Sequence, residues 1–219
     1  MKIQVITTCT GRKAFNPSEL LTLSDFRRAG EHLDQRRRQL DAFTLPAGEM
    51  YTGEQHVRLM LGICSARRAG HEVSVWIVSA GYGVVHETHE IAPYEATFNT
   101  MSKAEREEWA IRLGIAPDVS AIVATPADLT LLLLSDRYLD AAKVDALPRC
   151  GGPTWAICAS SAAGRFPAPI RTIPLKRSDT SRYRVGMIGL KGEVAAVVLK
   201  SECPIAALEA MSKENRPDG

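Results

Sequence analysis

Residues Glu72–Asn99, EVSVWIVSAGYGVVHETHEIAPYEATFN, decide the reading of this chain. The stretch opens as an apolar, β-branched run, Val73 to Val78. It breaks at Ser79-Ala80-Gly81-Tyr82-Gly83. It then fills with groups that bind, donate or accept protons: Tyr82, His86, Glu87, His89, Glu90, Tyr94, Glu95 and Asn99. A buried strand that ends in a glycine turn and a polar loop is where open α/β sheets place their sites. The stretch therefore predicts one wall of an active or binding site.

Working outward, Lys2–Thr8 reads as a buried strand that ends in Cys9-Thr10-Gly11-Arg12-Lys13. Ser24–Ala42 reads as a polar helix rich in Arg, Gln and Leu. Thr52 with Gln55 makes a capping-box pattern, and the helix it opens runs to about Arg68, where Gly70 stops it. Ser102 with Glu105 opens another helix. Ala121–Ala124 reads as a short strand, and Thr125-Pro126 as the start of a further helix through the run Leu131–Leu134. Trp155–Ala159 is a strand followed by Ser160-Ser161-Ala162-Ala163-Gly164. Arg171–Pro174 adds an edge strand. Val194–Lys200 is too short for periodicity to decide between helix and strand.

Strands alternating with helices predict one α/β domain over residues 1–211, with a mostly parallel central sheet of four or five strands and helices on both faces. Residues 212–219 read as a polar, frayed tail. The 219 residues, 45% hydrophobic and 24% charged, suit such a domain. There is no apolar run of membrane-spanning length and no signal-peptide layout, so a cytoplasmic protein without membrane partners is expected. The five cysteines form no CxxC pair, so neither a zinc site nor a disulfide framework is suggested. Cys64 and Cys158 lie in apolar segments and are expected in the core. The net charge of +2 does not itself imply nucleic acid, but basic residues cluster at Arg27, Arg28 and Arg36–Arg38, and again from Arg165 to Arg184.

Three strand ends carry candidate chemistry. After the first strand, a glycine with a hydroxyl and two cations suits an anion such as phosphate. Cys9-Thr10-Gly11-Arg12-Lys13 has three readings: a structural turn, a phosphate contact or a cysteine nucleophile. The P-loop and GxGxxG spacings are absent, and no cofactor is expected. After the second strand, Gly81 and Gly83 flank Tyr82, which permits close approach of a ligand. Tyr82 and Tyr94 can stack on a planar base. His86 and His89, interleaved with Glu87 and Glu90, suit acid/base work; a metal would need a third ligand that the spacing does not offer. The competing reading is a polar surface loop. After Trp155–Ala159, Ser160 to Arg165 can hold a phosphate or an oxyanion, or serve as a plain turn.

Those motifs carry a resemblance. A strand ending Cys9-x-x-x-Lys13, then Met50-Tyr51-Thr52-Gly53, then W-x-I-V-S-A-G-Y-G-V-V, then I-A-P-Y-E-A-T-F-N, resembles a poorly characterised bacterial and phage family distantly similar to the peroxide-stress protein YaaA. The resemblance covers roughly residues 2–100. It falls on Cys9, Lys13, Tyr51, Ser79, Tyr82, Gly83, Pro93 and Tyr94. It implies DNA as partner, a fold akin to DNA-repair glycosylases, and a role near modified bases and phage defence.

The expectation is an N-glycosidic hydrolase acting on a modified base in DNA. An extruded base would enter a pocket between strand ends, stacked by Tyr82 or Tyr94 and read by Asn99. Thr10, Arg12, Lys13 and Ser160 would hold phosphates. Glu87, Glu90 and Asp128 are the carboxylate candidates, and His86 and His89 the acids; Asp128 follows the expected third strand, but in its T-P-A-D context helix capping is the stronger reading. The alternatives are a non-catalytic DNA-binding stress or defence protein, and an enzyme on free nucleosides or nucleotides.

Overall fold

The computed structural model describes residues 1–147 and 149–214. One mixed sheet of six strands forms the centre: β1 (Lys2–Thr8), β2 (Glu72–Ser79), β3 (Gly83–His86), β4 (Leu129–Leu133), β5 (Thr154–Ala159) and β6 (Ile170–Leu175). Their spatial order is β6-β5-β4-β1-β2-β3. Neighbours are parallel throughout, except that β3 folds back antiparallel on β2 with Ser79 opposite Gly83. Counting the parallel strands alone, the order is 2-1-3-4-5, a doubly wound sheet that reverses direction between β1 and β4. Ligands bind such sheets outside the carboxyl ends of the strands at that reversal.

The principal helices are α1 (Leu23–Arg28), α2 (Gly30–Gln39), α3 (Glu54–Arg68), α4 (Lys103–Arg112), α5 (Ile115–Ala124), α6 (Asp136–Ala142), α7 (Met187–Lys200) and α8 (Pro204–Glu214). α3, α7 and α8 pack together in one layer, and α4, α5 and α6 in another. Right-handed crossovers that run one way from β1 to β2 and the other way from β2 to β4 put the two layers on opposite faces. The α3–α7 contact is close because it is built on small residues. A Cβ at Gly192 would stand 2.1 Å from the Gln55 carbonyl oxygen, and one at Gly62 2.5 Å from the Ala196 Cα.

The third strand corrects the sequence reading. Ala121–Ala124 is the last turn of α5, whose Ile115, Val119 and Val123 face inward at a spacing of four. The strand is Leu129–Leu133, and Thr125-Pro126 starts no helix. A leucine run buried on both faces is what a central parallel strand requires, and periodicity cannot separate it from a buried helix. The Val194–Lys200 segment belongs to α7. Ser24–Ala42 is two helices, broken at Ala29-Gly30, where both residues have positive φ. Thr52 does not cap α3; Gly53 precedes it without a side-chain cap. The Ser102–Glu105 box is formed as expected. Cys64 is exposed, because it falls on the outer face of α3, whereas Cys158 is buried. α8 includes Ser212–Glu214, and the rest of the expected tail lies outside the described residues. Among the described residues no helix is long and apolar enough to cross a membrane.

A second capping box, Thr22 with Asp25, fixes α1. Partial burial pushes the Asp25 carboxyl up, but hydrogen bonds from Thr22 and His32 and the nearby Arg36 cation outweigh it and hold the group at about 2. A carboxyl depressed in the folded state adds stability above its unfolded value, and that stability is lost as the pH falls through the folded one. The Asp25 contribution should therefore be complete at neutral pH, weaken from about pH 4 and be lost as the pH falls through about 2. Asp25→Asn should cost about 1 kcal/mol at pH 7 and much less at pH 2, as read by urea melts at the two pH values.

Candidate functional site

The segment that follows β1, from Gly11 to Leu20, and the segment Tyr94–Thr97 enclose a half-open cleft of about 720 Å³. Gly11, Arg12, Lys13, Phe15, Asn16 and Leu20 form one side, Thr52 lies on the rim, and Tyr94, Glu95, Ala96 and Thr97 form the other side. Local pairing explains the walls. Tyr94–Glu95 pairs with Leu21–Thr22, and Lys13 bridges to Tyr51. The Gly53 amide donates to Thr10 Oγ1 at 3.1 Å, tying the β1 loop to the start of α3. At Gly53 a Cβ would stand 2.5 Å from the Thr10 Cβ, so this approach requires glycine.

Behind the cleft lies a buried set of hydroxyls. Tyr94 Oη is 2.7 Å from Ser79 Oγ and 2.9 Å from Tyr51 Oη. Ser79 Oγ in turn accepts from the amides of Gly81 and Tyr82 at 3.1 and 3.0 Å. Trp109 Nε1 donates to the Ala80 carbonyl at 2.8 Å and so holds the same turn. Burial drives the Tyr51 and Tyr94 phenols well above their ordinary range, so both remain protonated. Cys9, directly after β1, has its Sγ 3.0 Å from Tyr138 Oη. Lys13 Nζ rests 4.3 Å from the centroid of the Tyr94 ring. Its burial lowers its pKa, opposed by the charges of Cys9 and Glu95.

The cluster expected from the sequence divides. Cys9, Thr10, Arg12, Lys13, Tyr51, Ser79 and Tyr94 converge on or behind this cleft. His86, His89 and Glu90 do not: with Trp76, Tyr82 and Thr88 they line a separate, shallow groove beside β3. His86 Nδ1 is held by Thr88 Oγ1 at 2.8 Å. Glu87 is buried and paired with Arg67, which also donates to the Val73 carbonyl. Asp128 lies at the opposite end of the sheet, where it accepts from the Lys2 amide at 2.7 Å. A strand over Ala121–Ala124 would place Asp128 at a strand end on the site side; the strand follows it instead. Gly83 has φ +76° and starts β3. Asn99 sits in a short turn, its amide bonded to Thr97 Oγ1 at 3.2 Å. Ser160 is exposed, and Arg165 donates to Asp140 at 2.6 Å.

The two tyrosines are not stacking platforms. Tyr94 is 1% exposed, with Lys13 over one face and the rings of Phe26, Tyr51 and Tyr82 around it. The Tyr82 hydroxyl donates to the Ala92 carbonyl and accepts from the Ala92 amide, both at 3.1 Å, and Arg37 lies over its ring.

Sequence reasoning gave Glu95 no role beyond that of a polar loop group, and it missed Thr97, Phe15 and Tyr138. Glu95 directly follows Tyr94 and was legible as a polar loop residue. Tyr138 gives no local signal: it projects from α6, 129 positions from Cys9. Among the described residues no three His, Cys, Asp or Glu side chains gather as metal ligands.

The sequence profile of a family of unknown function, DUF6884, matches residues 37–147, about half of the chain. The match takes in Tyr51, Ser79, Tyr94, Glu95 and Tyr138 and leaves out Cys9 to Lys13. No curated protein matches.

Proposed function

The chain belongs to the DUF6884 family, and since that family has no known function we propose an activity from the cleft itself: hydrolysis of the N-glycosidic bond of a nucleotide. The observation that carries this is the pairing, in one nucleotide-sized cleft at the sheet reversal, of a cationic side (Arg12, Lys13) with a carboxylate (Glu95). Arg12 and Lys13 suit the phosphate. Phe15 and Leu20 offer the base apolar contact. Glu95 suits the cationic charge that develops on the sugar as the base departs and water arrives at the anomeric carbon.

Ion pairing of the first basic segment favours a free nucleotide as substrate. Arg36 is engaged by Glu19 and Asp25, and Arg37 lies 3.9 Å from Asp34 and over Tyr82. Those side chains are less free to follow a DNA backbone. A second reading, a base within DNA, is favoured by Lys176, Arg177 and Arg184. They follow β6 at the carboxyl edge of the sheet and make no ion pair among the described residues. The resemblance to the YaaA-like family supports this reading too.

The test is to incubate the protein with nucleoside monophosphates and with oligonucleotides of natural and modified bases, and to analyse released base by mass spectrometry. Release from monophosphates, insensitive to salt, supports the first reading. Release from oligonucleotides alone, falling steeply with salt, supports the second. No release from either defeats the glycosidic proposal, and salt-sensitive DNA binding without release would point to a non-catalytic DNA-binding protein. His86→Ala with Glu90→Gln should leave the rate of base release unchanged, because the groove they line is not the cleft. Loss of activity in that double variant would move the site to the groove.

A further inference from the structure

A second, smaller cavity of about 260 Å³ lies where α1, α2, α4 and the turn between β2 and β3 meet. We infer that it is a binding site for a small carboxylate with an apolar body, and the inference does not depend on the glycosidic reading. The cavity falls below the roughly 300–1,000 Å³ of sites for drug-sized ligands. Its occupant is therefore a single ring or a short branched chain, not a nucleotide.

The wall is mostly carbon. Phe26 and Leu33 come from α1 and α2, Tyr82 from the turn, and Trp109 and Leu113 from α4 and its end. Such a surface favours an apolar body. The rings close on bare backbone: a Cβ at Gly81 would stand 2.8 Å from the Phe26 ring.

Two guanidiniums supply the charge. Arg37 lies 5.1 Å from the centroid of the Tyr82 ring and Arg112 5.4 Å from that of Trp109, and both line the cavity. No Asp or Glu is among the lining residues. Arg112 donates to the Arg27 carbonyl at 2.6 Å and forms no ion pair among the described residues. The 3.9 Å contact of Arg37 with Asp34 joins two exposed groups and is too long for a hydrogen bond, so it neutralises little. Two like charges facing one apolar hollow repel each other, and a bound anion relieves that repulsion. A guanidinium held against a ring keeps its planar N–H edge for a carboxylate, which it binds through paired hydrogen bonds.

Backbone strain marks the same wall. Ala29, in the lining between α1 and α2, has φ +54° and ψ −163°. That region suits glycine almost alone, and strain of this kind gathers at ligand sites.

The test titrates three probes at pH 7: cyclohexanecarboxylate, its neutral amide cyclohexanecarboxamide, and inorganic phosphate. Binding is read by tryptophan emission, because Trp109 lines the cavity, and by the rise in melting temperature. The acid should bind at least about tenfold more tightly than the amide, the difference a charge-assisted hydrogen bond makes. Phosphate should bind more weakly than the acid, having no carbon to set against the rings. Arg112→Gln should remove most of the preference for the acid. Arg37→Gln should do the same while leaving the bond to the Arg27 carbonyl in place. Equal affinity for acid and amide would overturn the anion site, as would a preference for the acid that survives both substitutions. Phosphate binding as tightly as the acid would overturn the apolar-bodied ligand, and no saturable response to any probe would overturn the site itself. Base release plays no part in the readout, so either proposal can fail alone.

Discussion

Glu95→Gln is expected to lower the rate of base release by roughly 10²- to 10³-fold, the usual cost of removing one group that stabilises transition-state charge. Substrate binding should be nearly unchanged, because the amide keeps the size and most of the polarity of the carboxylate. Glu95 is the carboxylate among the cleft-lining residues, so no neighbour in the lining replaces it. Its pairing strand with Thr22 is held by backbone hydrogen bonds, and the substitution leaves these intact. A kcat that falls while KM stays level is the signature of an interaction made in the transition state. Equal kcat in the variant and the parent would remove Glu95 from the mechanism. A rise in KM alone would recast it as a binding group.

Gly192→Val should be strongly destabilising. The first added carbon would stand 2.1 Å from the Gln55 carbonyl oxygen and close to the Gln55 Cα, which is backbone that cannot swing aside. α3 and α7 must separate, and overpacking of this kind costs about 3 kcal/mol or more. For a chain of this length that lowers the melting temperature by roughly 10 °C. The damage should also reach the cleft. Gln55 Nε2 donates to Thr7 Oγ1 and to the Leu133 carbonyl, both at 3.3 Å, so α3 is tied to both strands at the reversal. Lys191, beside Gly192, donates to the Leu134 carbonyl at 2.8 Å. Gly164→Ala is the control: nothing lies within 4 Å of the position its Cβ would take, and its melting temperature should match the parent. Thermal melts of the two variants decide the matter.

What was legible in the sequence follows from how local each signal is. β1 was readable because five of the seven residues of Lys2–Thr8 are β-branched and the segment ends in a polar turn. β2 was readable for the same reason, down to the Ser79–Gly83 break. β4 was not, because Leu129–Leu133 carries the apolar content of a buried helix, and Thr125-Pro126 mimics a helix start. That misplacement carried Asp128 into the candidate site. The β1-loop half of the site was visible in Cys9, Thr10, Arg12 and Lys13, since the loop follows a strand directly. The other half was placed at His86–Glu90, where two histidines are interleaved with two glutamates. The chain instead carries those residues along β3 to the sheet edge, and it is Tyr94–Thr97, a few residues later, that returns to the reversal. Cys9 with Tyr138 was beyond reach, because a contact between a strand end and a distant helix leaves no pattern in either segment.

The two outer strands limit how this protein can meet copies of itself. β3 is short, Gly83–His86, and runs against the direction of its neighbour. β6 carries Pro174, which has no amide proton to offer a new strand, and Arg171, whose guanidinium lies 3.9 Å from the centroid of the Trp155 ring. Abbreviated edges, proline and edge cations all discourage a further strand from joining. Growth into a continuous ribbon of stacked subunits is thereby suppressed, and association between molecules is directed to helical surfaces.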